Sequence, residues 1–223
     1  MGLRTTIFAH TYDRQMARVE RAGLRARREE LLRCGTGDVL EIGAGTGLNL
    51  PCYPTDVETL TLTEPEPPMI RRLRIRASQR RPMPTVLRAP AEDLPFDDDS
   101  FDTAVSTLVL CGVSDQPRSV REIHRVLRPG GRLLFIEHVR SDDPGLAAQQ
   151  DRMNGLNRFL VGCECNRPTL SSIQAAGFSV TEVHHLTLAK VPRFVSPLII
   201  GQATTALVPS SDESRSMHQR ITP

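Results

Sequence analysis

Lysine is nearly missing from this 223-residue chain: Lys190 stands alone, so arginine carries almost all of the positive charge. Lys and Arg number 28 against 26 Asp and Glu, a formal net charge of +2, which provides no strong field for nucleic acid or an anionic membrane. The arginine-dense runs 21–33 and 71–81 therefore read as solvated helix faces rather than as a polyanion site. Long apolar runs are missing too. The opening MGLRTTIFAHTYDRQ has no extended apolar core of a signal peptide, and no run reaches the roughly 18 residues of a membrane span. The expectation is a soluble, cytoplasmic protein. Repeated C-x-x-C pairs are lacking and the five cysteines are an odd number, which argues against a disulfide framework and a structural zinc site, and for a reducing compartment.

What is present is an alternation of strand-like and helix-like segments, the pattern of a parallel sheet covered on both faces. Residues 14–34 read as an amphipathic helix, and the strands fall at 39–42, 58–63, around Val86, at 101–110, 132–139, 180–188 and 197–203. Helices fit 66–80, 116–127 and 169–176, the last capped by Gly177. Arg128-Pro-Gly-Gly131 reads as a turn into strand five, because proline presets one dihedral and the glycines allow positive ones. The chain is expected to be one domain over 1–205, with an N-terminal helical cap at 1–35, an insertion at 141–167 and a polar tail at 206–223. The insertion, a helix and a loop over the carboxyl edge of the sheet, is where α/β folds build substrate pockets.

The most informative stretch is DVLEIGAGTGLNL, Asp38 to Leu50. A short apolar strand ends in Glu41 and then in Gly43, Gly45 and Gly47, glycines that let the backbone turn sharply and approach a ligand, with the N–H groups of a helix start expected to follow. The G-x-G-x-G spacing led by an acid resembles the first motif of the class I S-adenosylmethionine-dependent methyltransferases. A similar loop also occurs in NAD enzymes and in plain α/β packing. Glu64, at the end of strand two, lies about 20 residues further on, where its oxygens can accept bonds from both ribose hydroxyls. The alternative for Glu64 is an exposed turn acid. APAEDLPFDDDSFD, from Ala89 to Asp102, resembles the adenine-binding segment of the small-molecule methyltransferases related to the ubiquinone and menaquinone C-methyltransferases.

That resemblance runs from Gly37 to Val139 through SFDTAVSTLVL and REIHRVLRPGGRLLFIEHV. It implies a doubly wound, seven-stranded, mostly parallel sheet, a Rossmann-like α/β fold binding S-adenosyl-L-methionine. It assigns Glu41, Gly43, Gly45 and Gly47 to the methionine and ribose portion, Glu64 to the ribose, Ala91 and Glu92 to the adenine, and Thr107 to the cofactor set. Pro90 stands where many relatives carry an Asp that contacts the adenine amine, so adenine recognition falls to Glu92, Asp93 or backbone groups.

A narrower resemblance lies in APAEDLPF, in TLVLCGV with Cys111, and in FIEHV followed by GCECNRPTL at Gly162 to Leu170. These look like the bacterial branch related to the methyltransferase-like seven proteins, which methylate small thiols. The eukaryotic members open with an apolar membrane anchor, and this sequence opens without one. The implied activity is methyl transfer to a small-molecule acceptor, above all a thiol sulfur. The alternatives are C- or O-methylation of a quinone or natural product, and a non-catalytic protein that binds the cofactor.

A thiol ionises near pH 8.5 and thiolate is a strong nucleophile, so orientation and one nearby base suffice. His138, at the carboxyl end of strand five, is the candidate base; the alternative is that it only bonds a loop carbonyl while Glu137 caps the next segment. Cys111 either faces the transferable methyl or is a small buried hydrophobe. Cys163 and Cys165, with Cys111, invite the idea that soft thiolates hold As(III). No resident metal is expected.

Overall fold

The computed structural model of the protein describes residues 12–207. Helix α1, residues 12–19, passes through a π turn at Glu20–Leu24 into α2, Arg25–Leu32. The helix expected in one piece is thus kinked, and the kink falls at Gly23, whose φ of 125° needs a residue without a Cβ. Thereafter come β1 (Asp38–Ile42), β2 (Thr59–Thr63), α3 (Pro67–Ala77), β3 (Thr85–Leu87), β4 (Phe101–Thr107), α4 (Gln116–Val126) and β5 (Leu127–His138). The chain continues with α5 (Pro144–Val161), α6 (Thr169–Ala175), β6 (Ser179–Thr187) and β7 (Pro197–Thr204). The expected 206–223 tail lies almost wholly outside the described residues.

The seven strands form a single sheet in the order β3-β2-β1-β4-β5-β7-β6. All pairs are parallel except those of β7, which runs antiparallel to β5 and to β6. Strand order reverses between β1 and β4, so their carboxyl ends flank the crevice where open α/β sheets take ligands. Both faces are covered. Val39, Val105 and Leu134 pack toward α2 and α3, while Leu40, Ala104 and Leu133 pack toward α4 and α6, the period-two alternation that buries both sides of a central strand. Helix α4 closes its face with Val120, Ile123 and Val126, all fully buried, and its start is capped by Asp115, which accepts the Arg118 N–H at 2.9 Å.

Two expected boundaries move. Residues 128–131 do not form a turn before strand five but a bulge within β5, since the register jumps from Phe101 opposite Leu127 to Thr103 opposite Arg132. Backbone groups of the bulge pair with the chain leaving β7: Thr205 N–H donates to the Gly131 carbonyl at 3.0 Å and Gly130 N–H to that of Ala206 at 3.3 Å. Strand β4 stops at Thr107 rather than Leu110, because Leu108 takes a φ of 60° and leaves the ladder.

Candidate active site

The loop after β1 is built by conformation. Gly43, Gly45 and Gly47 have φ values of 54°, 58° and 86°, a region side chains disfavour. A Cβ on Gly43 would lie 2.6 Å from Val109 Cγ1 and one on Gly47 2.8 Å from Leu50 Cδ1, whereas on Gly45 the nearest atom would be the Gly43 carbonyl at 4.0 Å. The outer glycines are pressed against neighbours, and the middle one leaves a cradle open to the crevice. No α-helix follows directly: turns lead into a 3-10 turn at Leu50–Cys52, because Pro51 and the left-handed Gly47 interrupt helical bonding. The N–H groups expected of a helix start are therefore those of the glycine loop itself.

Glu64 leaves the end of β2 and binds this loop, accepting the Gly45 N–H and the Glu66 N–H, each at 2.8 Å. Burial raises its carboxyl pKa, and the two N–H donors oppose that rise. Glu64 thus belongs to the crevice and is not an exposed turn acid. It lines a cavity of about 670 Å³ with Gly43, Gly45, Ala91 and Glu92, a size ordinary for cofactor sites. Glu92 Oε1 takes the Ser114 N–H at 2.6 Å, joining the loop after β3 to the start of α4.

Behind the glycine loop lies a buried polar lattice that the sequence did not announce. Glu41 does not reach the cavity lining: its carboxylate accepts from Asn49 Nδ2 at 2.9 Å and from the Tyr53 hydroxyl at 2.7 Å. Desolvation pushes its pKa up to about 7, against the pull of those donors. Thr107 Oγ1 accepts from Asn49 Nδ2 at 2.9 Å and from Arg28 Nη1 at 2.8 Å, while Arg28 Nε bonds Glu20 at 3.1 Å. Arg28, Asn49 and Thr107 line a recess of about 20 Å³ that shares Tyr12, Gly43 and Gly45 with the main cavity. Arg28 is 3% exposed, so reading the whole 21–33 run as a solvated face was wrong at this position. Its signal was available: Leu24, Leu31 and Leu32 stand four before and three and four after it, on the same helix face.

The far wall comes from the insertion, whose Phe159, Leu160 and Val161 line the cavity at the end of α5. Glu137 holds the wall beside it, accepting from the Ser106 hydroxyl at 2.6 Å and from the N–H groups of Val109 and Leu110 at 3.0 and 3.1 Å. It fastens the segment after β4 rather than capping the segment after β5. Burial pushes its pKa up to about 7. The candidate base and the candidate methyl-facing thiol both sit behind this lining: His138 is 6% and Cys111 3% exposed. Burial drives the pKa of the His138 ring down to about 4, and the ring lies outside the cavity lining. Cys111 is buried beside His138 and Cys163.

The model of the family described as a methyltransferase domain matches residues 40–135. The human thiol S-methyltransferase TMT1A is 31% identical over 201 residues, which cover 88% of this chain and 82% of that protein. The chain belongs to the class I S-adenosylmethionine-dependent methyltransferases. Human thiol S-methyltransferase TMT1B is 34% identical over 172 residues, 74% of this methyltransferase and 69% of its relative. The crystal structure of an S-adenosylmethionine-dependent methyltransferase from Thermotoga maritima superposes with a TM-score of 0.67 at 23% identity, covering 92% of this chain and all of that one, which shows the shared fold.

The residues present fit the cofactor. The bare Gly45 cradle admits close approach of a ligand to backbone N–H groups, and Glu64, though bonded twice, keeps carboxylate lone pairs for hydroxyl donors. S-adenosylmethionine supplies an electrophilic sulfonium methyl group. The methyltransferase needs only to hold donor and acceptor in line and keep water out.

Proposed function

We propose that this methyltransferase transfers the methyl group to the sulfur of a small-molecule thiol. The reading rests on its similarity to thiol S-methyltransferases over most of its length, insertion included. The apolar wall of Phe159, Leu160 and Val161 favours an uncharged, partly apolar acceptor. Glu64 takes the ribose, Ala91 and Glu92 border the adenine, and the glycine loop carries the amino-acid portion, with Glu41, Thr107 and Arg28 bracing that loop from behind. A thiol that ionises near pH 8.5 is a few per cent thiolate at neutrality, enough for attack without a dedicated protein base. The free thiols of Cys34, Cys52, Cys111, Cys163 and Cys165 accord with a reducing, cytoplasmic setting.

Calorimetric titration with S-adenosylmethionine and S-adenosylhomocysteine, followed by turnover against small thiols, phenols and quinols, tests the proposal. Thiol methylation is the expected result. Turnover of quinols or phenols alone would replace the acceptor class, and cofactor binding with no turnover of any acceptor would overturn catalysis itself.

A further inference from the structure

Behind the cavity wall, three segments distant in sequence bring four metal-binding side chains together: Cys111 after β4, His138 at the end of β5, and Cys163 and Cys165 after α5. The Sγ atoms of Cys111 and Cys163 and a ring nitrogen of His138 lie within 4.8 Å of one another, and Cys165 Sγ is 3.4 Å from Cys163 Sγ. Tetrahedral zinc, with Zn–S near 2.3 Å and Zn–N near 2.0 Å, sets its donor atoms about 3.5–3.8 Å apart, so contraction of about an ångström brings Cys111, His138 and Cys163 to ligand spacing, and Cys165, beside Cys163, supplies the fourth position.

An independent observation points to a ligand here. His138 Nδ1 is buried and has no hydrogen-bond partner among the described residues. With the ring proton on the other nitrogen, Nδ1 is a lone pair without a donor. Such a buried, unanswered acceptor is costly, and a cation answers it. Asn157 supplies an outer-shell contact on the sulfur side, its Nδ2 donating to Cys165 Sγ at 3.4 Å and to the Cys163 carbonyl at 2.7 Å.

We propose that Cys111, His138, Cys163 and Cys165 form a zinc(II) site that fastens the loop after α5 to the ends of β4 and β5. The linear spacing of the cysteines conceals it because the ligands converge only in the folded chain. Zinc binding releases the three thiol protons to solvent and leaves the imidazole neutral. Three sulfurs alone would suit As(III), but the imidazole favours zinc. The site is closed, so its role is to shape the wall: Gly112 and Gly162, which adjoin two of the ligands, both line the cavity. Zinc binding does not depend on the acceptor being a thiol, and either reading can fail while the other stands.

The experiment is a cobalt(II) titration of the chelator-stripped full-length protein under reducing, anaerobic conditions, with zinc as competitor. The expected result is one equivalent bound with thiolate-to-cobalt charge transfer and intense tetrahedral visible bands, bleached by stoichiometric zinc. Cys163→Ser, at the least buried ligand, should weaken binding by more than the about 10–100-fold that follows loss of an outer-shell partner, and Cys111→Ser likewise. The double variant Cys34→Ser/Cys52→Ser should bind as the parent does. Circular dichroism and S-adenosylmethionine titration report whether each variant is folded. A parent protein without charge transfer, bands that survive in folded Cys163→Ser, or arsenite binding without zinc binding would overturn the proposal.

Discussion

Arg28 Nη1 donates to Thr107 Oγ1 at 2.8 Å, tying the helix before β1 to the end of β4 across 79 positions of sequence. The same nitrogen reaches Asn49 Oδ1 at 2.8 Å, and the guanidinium is neutralised by Glu20, itself only 13% exposed. One side chain therefore joins the N-terminal helix, the glycine loop and the switch-point strand.

Arg28→Met keeps the aliphatic stem while removing every donor, and it leaves Glu20 as a largely desolvated charge without its partner. Stability should fall by about 2–4 kcal/mol, as expected when one member of a buried pair is deleted. S-adenosylmethionine affinity should weaken alongside, because the glycine loop loses its brace. Urea unfolding and calorimetry on the same preparation check both; unchanged affinity would confine Arg28 to a role in stability.

Gly43 meets Val109 so closely that the two positions should be coupled. Gly43→Ala is expected to destabilise by about 1–3 kcal/mol, combining a left-handed φ with a clash. Val109→Ala removes the atoms that clash and should recover part of that loss. A double-mutant cycle in chemical denaturation measures the coupling, which additive effects would exclude.

Glu64→Ala removes the acceptor for Gly45 N–H and the carboxylate facing the cavity. Cofactor affinity should drop about 10–100-fold, the effect of losing charged hydrogen bonds worth about 1.5–3 kcal/mol, while turnover at saturating cofactor changes less. Titration with S-adenosylhomocysteine reads the first quantity and steady-state kinetics the second.

Glu41 predicts a pH dependence of stability. Its carboxyl pKa rises from 4.5 to about 7 on folding, so the folded chain holds a proton that the unfolded chain releases. The stabilisation from this group is complete below pH 4.5 and is lost as pH rises through about 7. It amounts to about 3 kcal/mol over that window. Glu41→Gln cannot titrate, and its stability should fall less than that of the parent between those limits; parallel curves in urea would show that Glu41 ionises normally in the fold.

The parts of the site that lie on one local segment were legible in the chain. The glycine spacing needs only the backbone of residues 43–47, and the place of Glu64 follows from a βαβ unit of ordinary length, so both appear where expected. The strands were legible for a related reason: central strands buried on both faces carry consecutive apolar residues, Val39 and Leu40 in β1, Ala104 and Val105 in β4, and Leu133 to Ile136 in β5. The breaks at Gly23, Leu108 and the Arg128–Gly131 bulge were not. In each, the backbone leaves a regular path, at the bulge to pair with chain far away in sequence.

The same division separates what the sequence by itself determined from what the tertiary structure decided. Sequence determined the α/β alternation, the nucleotide-type loop and the acid that answers it, because short-range spacing and burial period encode them. Tertiary structure alone decided which charges are buried and what they meet. Arg28 left its solvated run to bind Thr107, Glu137 turned to hold the segment after β4, and His138 came to rest beside Cys111 and Cys163. Desolvation and hydrogen bonding depend on neighbours that only the packed sheet brings together, so a side chain's chemistry is settled after the fold has chosen its surroundings.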